Sequence, residues 1–261
     1  MTRHTPDTTP VAPALPRPTG RAEYEAAVER LRVREKAHTR EGSAVAAARR
    51  RLPALEVDAS LPVEGPAGPV PLLEVFEGRR LLVAYYFMWH TGQPAARQCE
   101  GCTFFTSQVR ELSSLHARDT TYATICEGPF AESHRYRTFM GWEQPWYSVA
   151  GSGPALLRGR PFGSLVCYLR DGDRVLETYW TPRGRGLEVM APAYGLLDLT
   201  PYGRQETWED SPAGWPQPYT ADGSQFATDG RPSAQWPRLA AGVSDDLGTS
   251  ATDLGPRGCC H

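Results

Sequence analysis

The alternation of apolar and polar residues divides the chain into a leader, one long helix and a region of mixed helices and strands. Residues 1–20 hold five prolines and have no apolar periodicity, so we expect a disordered leader. From residue 21 to residue 51 apolar side chains recur at close to helical spacing among charged ones, which predicts a helix. Residues 81–87 form an unbroken apolar run, which is typical of a central strand buried on both faces.

Beyond this strand the pattern alternates between helical and strand periods. Two of the later strands are separated by an Asp-Gly pair, which predicts an antiparallel hairpin. The order βαβα then ββα is that of the thioredoxin fold, in which helices flank a central mixed sheet. We therefore predict an α/β, thioredoxin-like domain over residues 76–203, with an N-terminal helical extension over residues 21–75. The predicted helices cover residues 104–118, 131–140 and about 187–197, and the predicted strands cover residues 81–87, 121–126, 164–169 and 175–180.

Composition changes this picture mainly at the C-terminal end. The chain has 25 glycines and 24 prolines, which disfavours a coiled coil or a long helical bundle. Beyond Gln205 there are eight acidic and three basic residues, so residues 204–261 are predicted to be an irregular acidic tail. Because disordered segments are usually poor in aromatic residues, the aromatic content of this tail indicates that part of it packs on the domain. Its aromatic residues are Trp208, Trp215, Tyr219, Phe226 and Trp236.

Charge and hydropathy argue against several classes of partner. The formal net charge of −2 gives no reason to expect a nucleic acid. The longest apolar run, residues 81–89, is shorter than the roughly 18 residues of a membrane-spanning helix, so we expect no membrane contact. The first residues lack the apolar core of a secretory signal, and a cytoplasmic location is therefore expected.

The strongest candidate chemistry is the motif Cys99-Glu100-Gly101-Cys102, which lies after the predicted buried strand and immediately before a predicted helix. Two intervening residues place both sulfurs at one end of a helix, where free peptide N–H groups and the helix dipole stabilise a thiolate. We predict a thiol-disulfide oxidoreductase in which Cys99 attacks a disulfide or peroxide and Cys102 resolves the intermediate. Cys126 and Cys167 lie inside predicted strands and are interpreted as core residues.

A second hypothesis for the same motif is a copper site. The loop before the motif carries His90, which could act as a base for a thiol or as a third ligand beside the two thiolates, and such a donor set favours Cu(I) or Zn(II). His134 is a weaker candidate ligand. Cys259, Cys260 and His261 are interpreted either as incidental thiols or as a minor metal-capture site. The first hypothesis requires no cofactor, whereas the second describes a copper-dependent oxidase, oxygenase or copper carrier.

Aromatic residues around the motif are the candidate substrate pocket. A cleft lined by rings beside reactive sulfur suits a small aromatic or apolar substrate, although the same residues are equally typical of a core. A protein disulfide is the other expected substrate, and the basic helix and acidic tail allow pairing between two copies of the chain. A binding module without chemistry is a third hypothesis. The candidate pocket residues are Tyr85, Trp89, Phe104, Trp142, Trp146 and Trp180.

Several short motifs follow one another between residues 22 and 220 in the order found in a known family. Taken together, these motifs resemble the bacterial family known as domain of unknown function 899. The resemblance implies a thioredoxin-like fold but no defined chemistry. Besides the cysteine pair, the motifs are Arg34-Glu35-Lys36 with Thr39-Arg40, Arg50-Arg51-Leu52-Pro53, Gly78-Arg79, Tyr86-Phe87-Met88, His116-Ala117-Arg118-Asp119, Met140-Gly141-Trp142, Glu177-Thr178-Tyr179 and Leu197-Asp198-Leu199-Thr200-Pro201.

Overall fold

The computed structural model describes residues 14–149, 151–220, 224–228 and 231–235. Its α-helices are α1 (Arg21–Arg49), α2 (Glu100–Gln108), α3 (Ser113–His116), α4 (Phe130–Met140), α5 (Gly153–Leu157) and α6 (Pro192–Leu197). Its strands are β1 (Leu55–Val57), β2 (Pro62–Gly65), β3 (Gly68–Pro71), β4 (Leu81–Phe87), β5 (Thr120–Cys126), β6 (Trp146–Ser148), β7 (Ser164–Asp171), β8 (Arg174–Thr181), β9 (Ala227–Thr228) and β10 (Arg231–Pro232). None of the helices in these ranges is long and apolar enough to cross a membrane.

The first eight strands form one mixed sheet in the order β1-β8-β7-β4-β5-β6-β2-β3. Strand β4 pairs in parallel with β5 and antiparallel with β7, and β7 pairs antiparallel with β8. The order β8-β7-β4-β5 with these directions is the thioredoxin-like arrangement, so the predicted fold class is confirmed. The tight turn of the predicted hairpin is present as well, with Asp171 opposite Arg174 and Gly172 at a φ of 61°.

The alternation of side chains along β4 divides the core into two layers. Tyr85 and Phe87 point to the layer that contains α2 and α4, whereas Ala84 and Tyr86 point to the opposite layer. Every residue of β5 is buried. The prediction of a central strand buried on both faces is therefore confirmed, and the first of the two layers contains the cysteine motif.

Two of the predicted helices are each divided in two. The helix predicted over residues 104–118 ends at Gln108, where Val109 adopts an extended backbone, and a new helix starts at Ser113 with its amide bound to the Glu111 carboxylate. The helix predicted near 187–197 is a 3₁₀ turn, Arg185–Met190, followed by α6. Pro192 causes this break, because the residue before a proline avoids the helical region.

The N-terminal extension contributes strands to the sheet, which the sequence pattern did not predict. Strand β1 pairs with β8 at one edge, and β2 pairs with β6 near the other edge, where β3 is the outermost strand. Strands of three or four residues are too short to show a period. Helix α1, in contrast, has no buried residue along its 29 residues.

The two chain ends are described only in part. Ala14, which lies within the predicted leader, donates its amide to the carbonyl of Gly214 and accepts a bond from the Tyr202 hydroxyl. The described part of the leader therefore contacts the C-terminal region through Ala14. The remaining part of the predicted disordered leader, together with Trp236 and the terminal group Cys259-Cys260-His261, lies outside the described residues.

Candidate active site

The two cysteines of the motif lie at the first turn of α2. Cys99 is the N-cap residue, and its Sγ accepts a hydrogen bond from the amide of Cys102 at 3.4 Å. Both cysteines are reduced, and only 5% of Cys99 and 3% of Cys102 is exposed. The helix amide and the helix dipole both favour negative charge at this position. The Cys99 sulfur is therefore placed where a thiolate is stabilised.

A buried glutamine fixes the loop that leads into the motif. Gln98 donates its side-chain amide to the carbonyls of His90 and Gln93, at 3.0 and 2.9 Å, and its side-chain oxygen accepts the His90 amide at 3.0 Å. Its side chain thus closes the loop between β4 and α2 from inside. Sequence reasoning missed Gln98, because nothing in the pattern marks a glutamine beside a cysteine as buried.

Four of the predicted pocket residues are buried beneath the motif in one aromatic cluster. Tyr85, Trp89, Trp142 and Trp146 are at most 5% exposed, and the rings of Trp142 and Trp146 stack with centroids 5.6 Å apart. Phe87 lies between β4 and this pair, with its centroid 5.4 Å from that of Trp146. In the structure these rings pack mainly against one another as the core of this layer.

The position of Trp89 depends on a neighbouring glycine. A Cβ at residue 128 would overlap the Trp89 indole ring, so only a glycine at this position allows the ring to pack on the backbone there.

The Phe104 ring, another predicted pocket residue, is half-buried at the surface of α2, where it contacts Tyr194 at a centroid distance of 5.1 Å.

Trp180, which was also predicted to line the pocket, does not join this cluster, and its ring lies on the other face of the sheet. Trp180 pairs in register with Val166 of β7, whose side chain belongs to the opposite core layer. Directly opposed residues on antiparallel strands point to the same face of a sheet. The Trp180 ring is 39% exposed and lies 5.1 Å from the guanidinium carbon of Arg160.

A group of buried hydroxyls that form no well-aligned hydrogen bond lies on the sheet face beneath α2. Tyr85 of β4 pairs in register with Thr124 of β5, and Tyr122 is two residues before Thr124 on the same face. The Tyr85 hydroxyl lies beside the Cys102 thiol and the Tyr122 hydroxyl beside that of Thr124, but none of the three is well aligned for a hydrogen bond. Buried hydroxyls that are so poorly satisfied are rare in native proteins. Of this group, the sequence analysis identified only Tyr85, as an aromatic residue of the candidate substrate pocket.

The thiols and these hydroxyls are close enough to interact. Burial, followed by the nearby thiols of Cys102 and Cys99, raises the pKa of Tyr85 well above its ordinary value. Burial likewise raises the pKa of Tyr122. Both phenols are therefore neutral near pH 7 and can act as hydrogen-bond donors.

Two segments of the C-terminal tail lie against the start of α2. We call residues 224–228 and 231–235 together the tail cover. The Phe226 ring lies against Gly101, where an added Cβ would be 3.5 Å from it, and its centroid lies 5.1 Å from that of Phe104. The tail cover therefore packs directly on Gly101, one of the two residues between the cysteines.

The second segment of the tail cover is anchored by a buried glutamine. Gln235 is fully buried and donates its side-chain amide to the carbonyl of Ala95 at 2.7 Å and to the hydroxyl of Tyr136. That hydroxyl also contacts the Thr103 hydroxyl at 2.9 Å. Gln235 thus connects the tail to the loop before the motif and, through Tyr136, to α2.

The candidate ligands of the copper hypothesis do not form a metal-binding group among the described residues. Within residues 14–149, 151–220, 224–228 and 231–235, no three His, Cys, Asp or Glu side chains are grouped closely enough to hold a metal ion. His90 is in the loop held by Gln98, whereas the His134 ring stacks on Phe130 with centroids 5.0 Å apart. Burial, with a smaller effect of Arg137, lowers the pKa of His134.

The remaining two described cysteines lie in strands, as predicted. Burial raises the pKa of Cys126 to about 12 and that of Cys167 to about 11. Near neutral pH both are therefore protonated and poorly nucleophilic.

Comparison with known proteins adds a family and three likenesses of fold. The model of a family described as "bacterial protein of unknown function" (DUF899) matches residues 14–154 and 157–235. No curated protein matches the chain.

Three solved structures resemble part of the chain. One is described as a thiol:disulfide interchange protein DsbE from Chlorobium tepidum, with 12% identity over 54% of this chain and 93% of that one, and a TM-score of 0.35. Another is a secreted Mycobacterium tuberculosis disulfide oxidoreductase homologous to E. coli DsbE, with 11% identity, 51% and 93% coverage, and a TM-score of 0.35. The third is peroxidoxin BcpB from the same organism, with 18% identity, 54% and 89% coverage, and a TM-score of 0.36.

Proposed function

The chain belongs to the DUF899 family of bacterial proteins of unknown function, and we propose that it is a thiol-disulfide oxidoreductase that works through Cys99 and Cys102. The observation that carries the proposal is the position of the pair on a thioredoxin-like sheet: Cys99 caps α2, and Cys102 follows within the first turn. The hydrogen bond from the Cys102 amide to the Cys99 sulfur supports Cys99 as the thiolate.

The reaction is a pair of thiol-disulfide exchanges. The Cys99 thiolate attacks one sulfur of an oxidised substrate, a bond forms between the two sulfurs, and the other substrate sulfur leaves as a thiolate. The Cys102 thiolate then attacks the Cys99 sulfur and releases the second substrate thiol. Two electrons pass from the protein to the substrate, and the protein keeps an intramolecular disulfide. An external thiol returns the pair to its reduced form, so the cycle requires no metal or organic cofactor.

The surroundings of the other cysteines favour this assignment. Cys126 lies on β5 in the same core layer, but burial raises its pKa to about 12, so it has almost no thiolate near pH 7. The sequence-based expectation of a cytoplasmic location is part of the proposal, because in a reducing compartment the pair would rest as a dithiol.

The order of attack is tested by trapping a mixed disulfide with oxidised glutathione. In Cys102→Ser, glutathione should stay attached to Cys99, because the resolving sulfur is missing. In Cys99→Ser, no adduct should accumulate at residue 102, and in Cys126→Ser the outcome should match that of the wild type, an internal disulfide without adduct. Peptide mass spectrometry locates the adduct. A Cys102→Ser protein that leaves Cys99 unmodified would refute the assigned roles.

A further inference from the structure

The tail cover limits which oxidised substrates can reach the thiols. Cys99 and Cys102 are 5% and 3% exposed, and Phe226 packs on Gly101 between them. Gln235 holds the second segment of the tail cover against Ala95, which precedes the motif in the chain. A folded protein disulfide must bring its own backbone up to the attacked sulfur, and Phe226 occupies the surface over Gly101 that such a substrate would approach. A substrate of a few heavy atoms needs no such surface.

The chemistry beneath the thiols indicates what kind of small molecule fits. The hydroxyls of Tyr85, Tyr122 and Thr124 are buried on one sheet face, in the same layer as the two thiols, and none forms a well-aligned hydrogen bond. The Tyr85 hydroxyl lies beside the Cys102 thiol, and sulfur is a weak hydrogen-bond acceptor. Neutral hydroxyls can donate hydrogen bonds to oxygen atoms, which accept them well, whereas disulfide sulfurs accept them weakly. An oxygen-bearing oxidant would therefore satisfy the Tyr85 hydroxyl better than a disulfide would.

We propose that the Cys99–Cys102 pair reduces small hydroperoxides, with the Tyr85 hydroxyl donating a hydrogen bond to the oxygen that leaves. This inference rests on the proposed function and adds its substrate class. Tyr85 is the better placed of the two phenols, since both thiols lie near its hydroxyl. Its hydrogen bond would strengthen as negative charge develops on the leaving oxygen, which is the condition for lowering a barrier.

The reaction balances with the two thiols alone. The Cys99 thiolate attacks the terminal oxygen of the hydroperoxide, a sulfur–oxygen bond forms and the oxygen–oxygen bond breaks. The leaving alkoxide takes up one proton, equal to the one that Cys99 released on ionisation, and becomes an alcohol. The Cys102 thiol then attacks the Cys99 sulfenic acid, which forms the disulfide and releases water. The hydroperoxide is reduced by two electrons, and an external thiol regenerates the dithiol.

The opposite face of β4 provides a matched control. Tyr86 follows Tyr85 in sequence and is equally buried, but its hydroxyl is paired with that of Tyr168 at 2.7 Å in the other core layer. Tyr85→Phe and Tyr86→Phe each remove one buried hydroxyl from adjacent positions. Only the first change removes a hydroxyl that faces the thiols.

The test measures how fast hydrogen peroxide, oxidised glutathione and insulin disulfides oxidise the reduced full-length protein. Hydrogen peroxide should oxidise the wild-type pair, and insulin should react far more slowly than either small oxidant. Tyr85→Phe should lower the rate constant for hydrogen peroxide at least about tenfold and change that for oxidised glutathione less than about twofold. Tyr86→Phe should change neither rate by more than about twofold. Tyr122→Phe, which should also slow only the peroxide reaction, serves as the second variant should Tyr85→Phe fail to fold.

Two results would overturn this inference while leaving the proposed function intact. One is an unchanged peroxide rate in Tyr85→Phe and Tyr122→Phe. The other is an insulin rate equal to the peroxide rate in the wild type. A pair that no oxidant converts to a disulfide would instead refute the proposed function itself.

Discussion

At the scale of single residues, two adjacent tyrosines of β4 differ in the hydrogen bonding of their hydroxyls. The Tyr86 hydroxyl is paired with Tyr168, whereas the Tyr85 hydroxyl has beside it only the Cys102 thiol, a weak partner, and forms no well-aligned hydrogen bond. A buried hydroxyl without a hydrogen bond costs stability, and native proteins keep such groups mostly where function requires them. The sequence identifies Tyr85 as an aromatic neighbour of the motif. Only the structure shows how poorly its hydroxyl is hydrogen-bonded, because the groups near that hydroxyl depend on the register of β4 with β5.

This contrast predicts different effects on stability. Tyr86→Phe leaves the Tyr168 hydroxyl buried and unpaired, so it should lower the free energy of unfolding by about 1–3 kcal/mol. Tyr85→Phe removes a buried hydroxyl whose only neighbour is a weakly accepting thiol, and the free energy of unfolding should stay the same or rise. Urea denaturation of the reduced proteins at pH 7 measures both values. An equal loss in the two variants would show that the Tyr85 hydroxyl has a structural partner.

At the scale of elements, helix α2 and the tail cover define the site together. The sequence predicts a helix after the motif, and α2 does follow it, although the helix begins at Glu100 and ends at Gln108. The sequence also indicates, from its aromatic content, that the tail contacts the domain. It does not indicate where Phe226 and Gln235 bind, because contacts between residues so far apart in the chain leave no local pattern.

The tail cover predicts restricted access to the thiols. Phe226→Ala removes the ring that lies against Gly101, so alkylation of Cys99 and Cys102 by a bulky maleimide should become at least about threefold faster, since local opening costs less free energy. Trp215→Ala is the matched control, because Trp215 is an aromatic residue of the same tail that packs on Tyr202, with centroids 5.3 Å apart. Labelling is followed by peptide mass spectrometry. Equal acceleration in the two variants would contradict a local cover.

At the scale of the whole molecule, the sheet is wider than the region that the sequence marks as the domain. The predicted strands and their order were readable from periods of two residues and unbroken apolar runs. Strands β1, β2 and β3 were not, because each has only three or four residues and depends on the pairing surfaces of β6 and β8. The two edges of the sheet thus come from the extension, and the central strands β4 and β5 hold the site.

The central claim is that Cys99 and Cys102 form a reversible redox pair, and equilibration of the full-length protein with defined ratios of reduced and oxidised dithiothreitol tests it most directly. After quenching by alkylation and digestion, mass spectrometry should show one transition, in which the peptides containing Cys99 and Cys102 become linked while Cys126 and Cys167 remain thiols. If Cys99 and Cys102 stay reduced at every ratio, or form disulfides only with other cysteines, the account is contradicted.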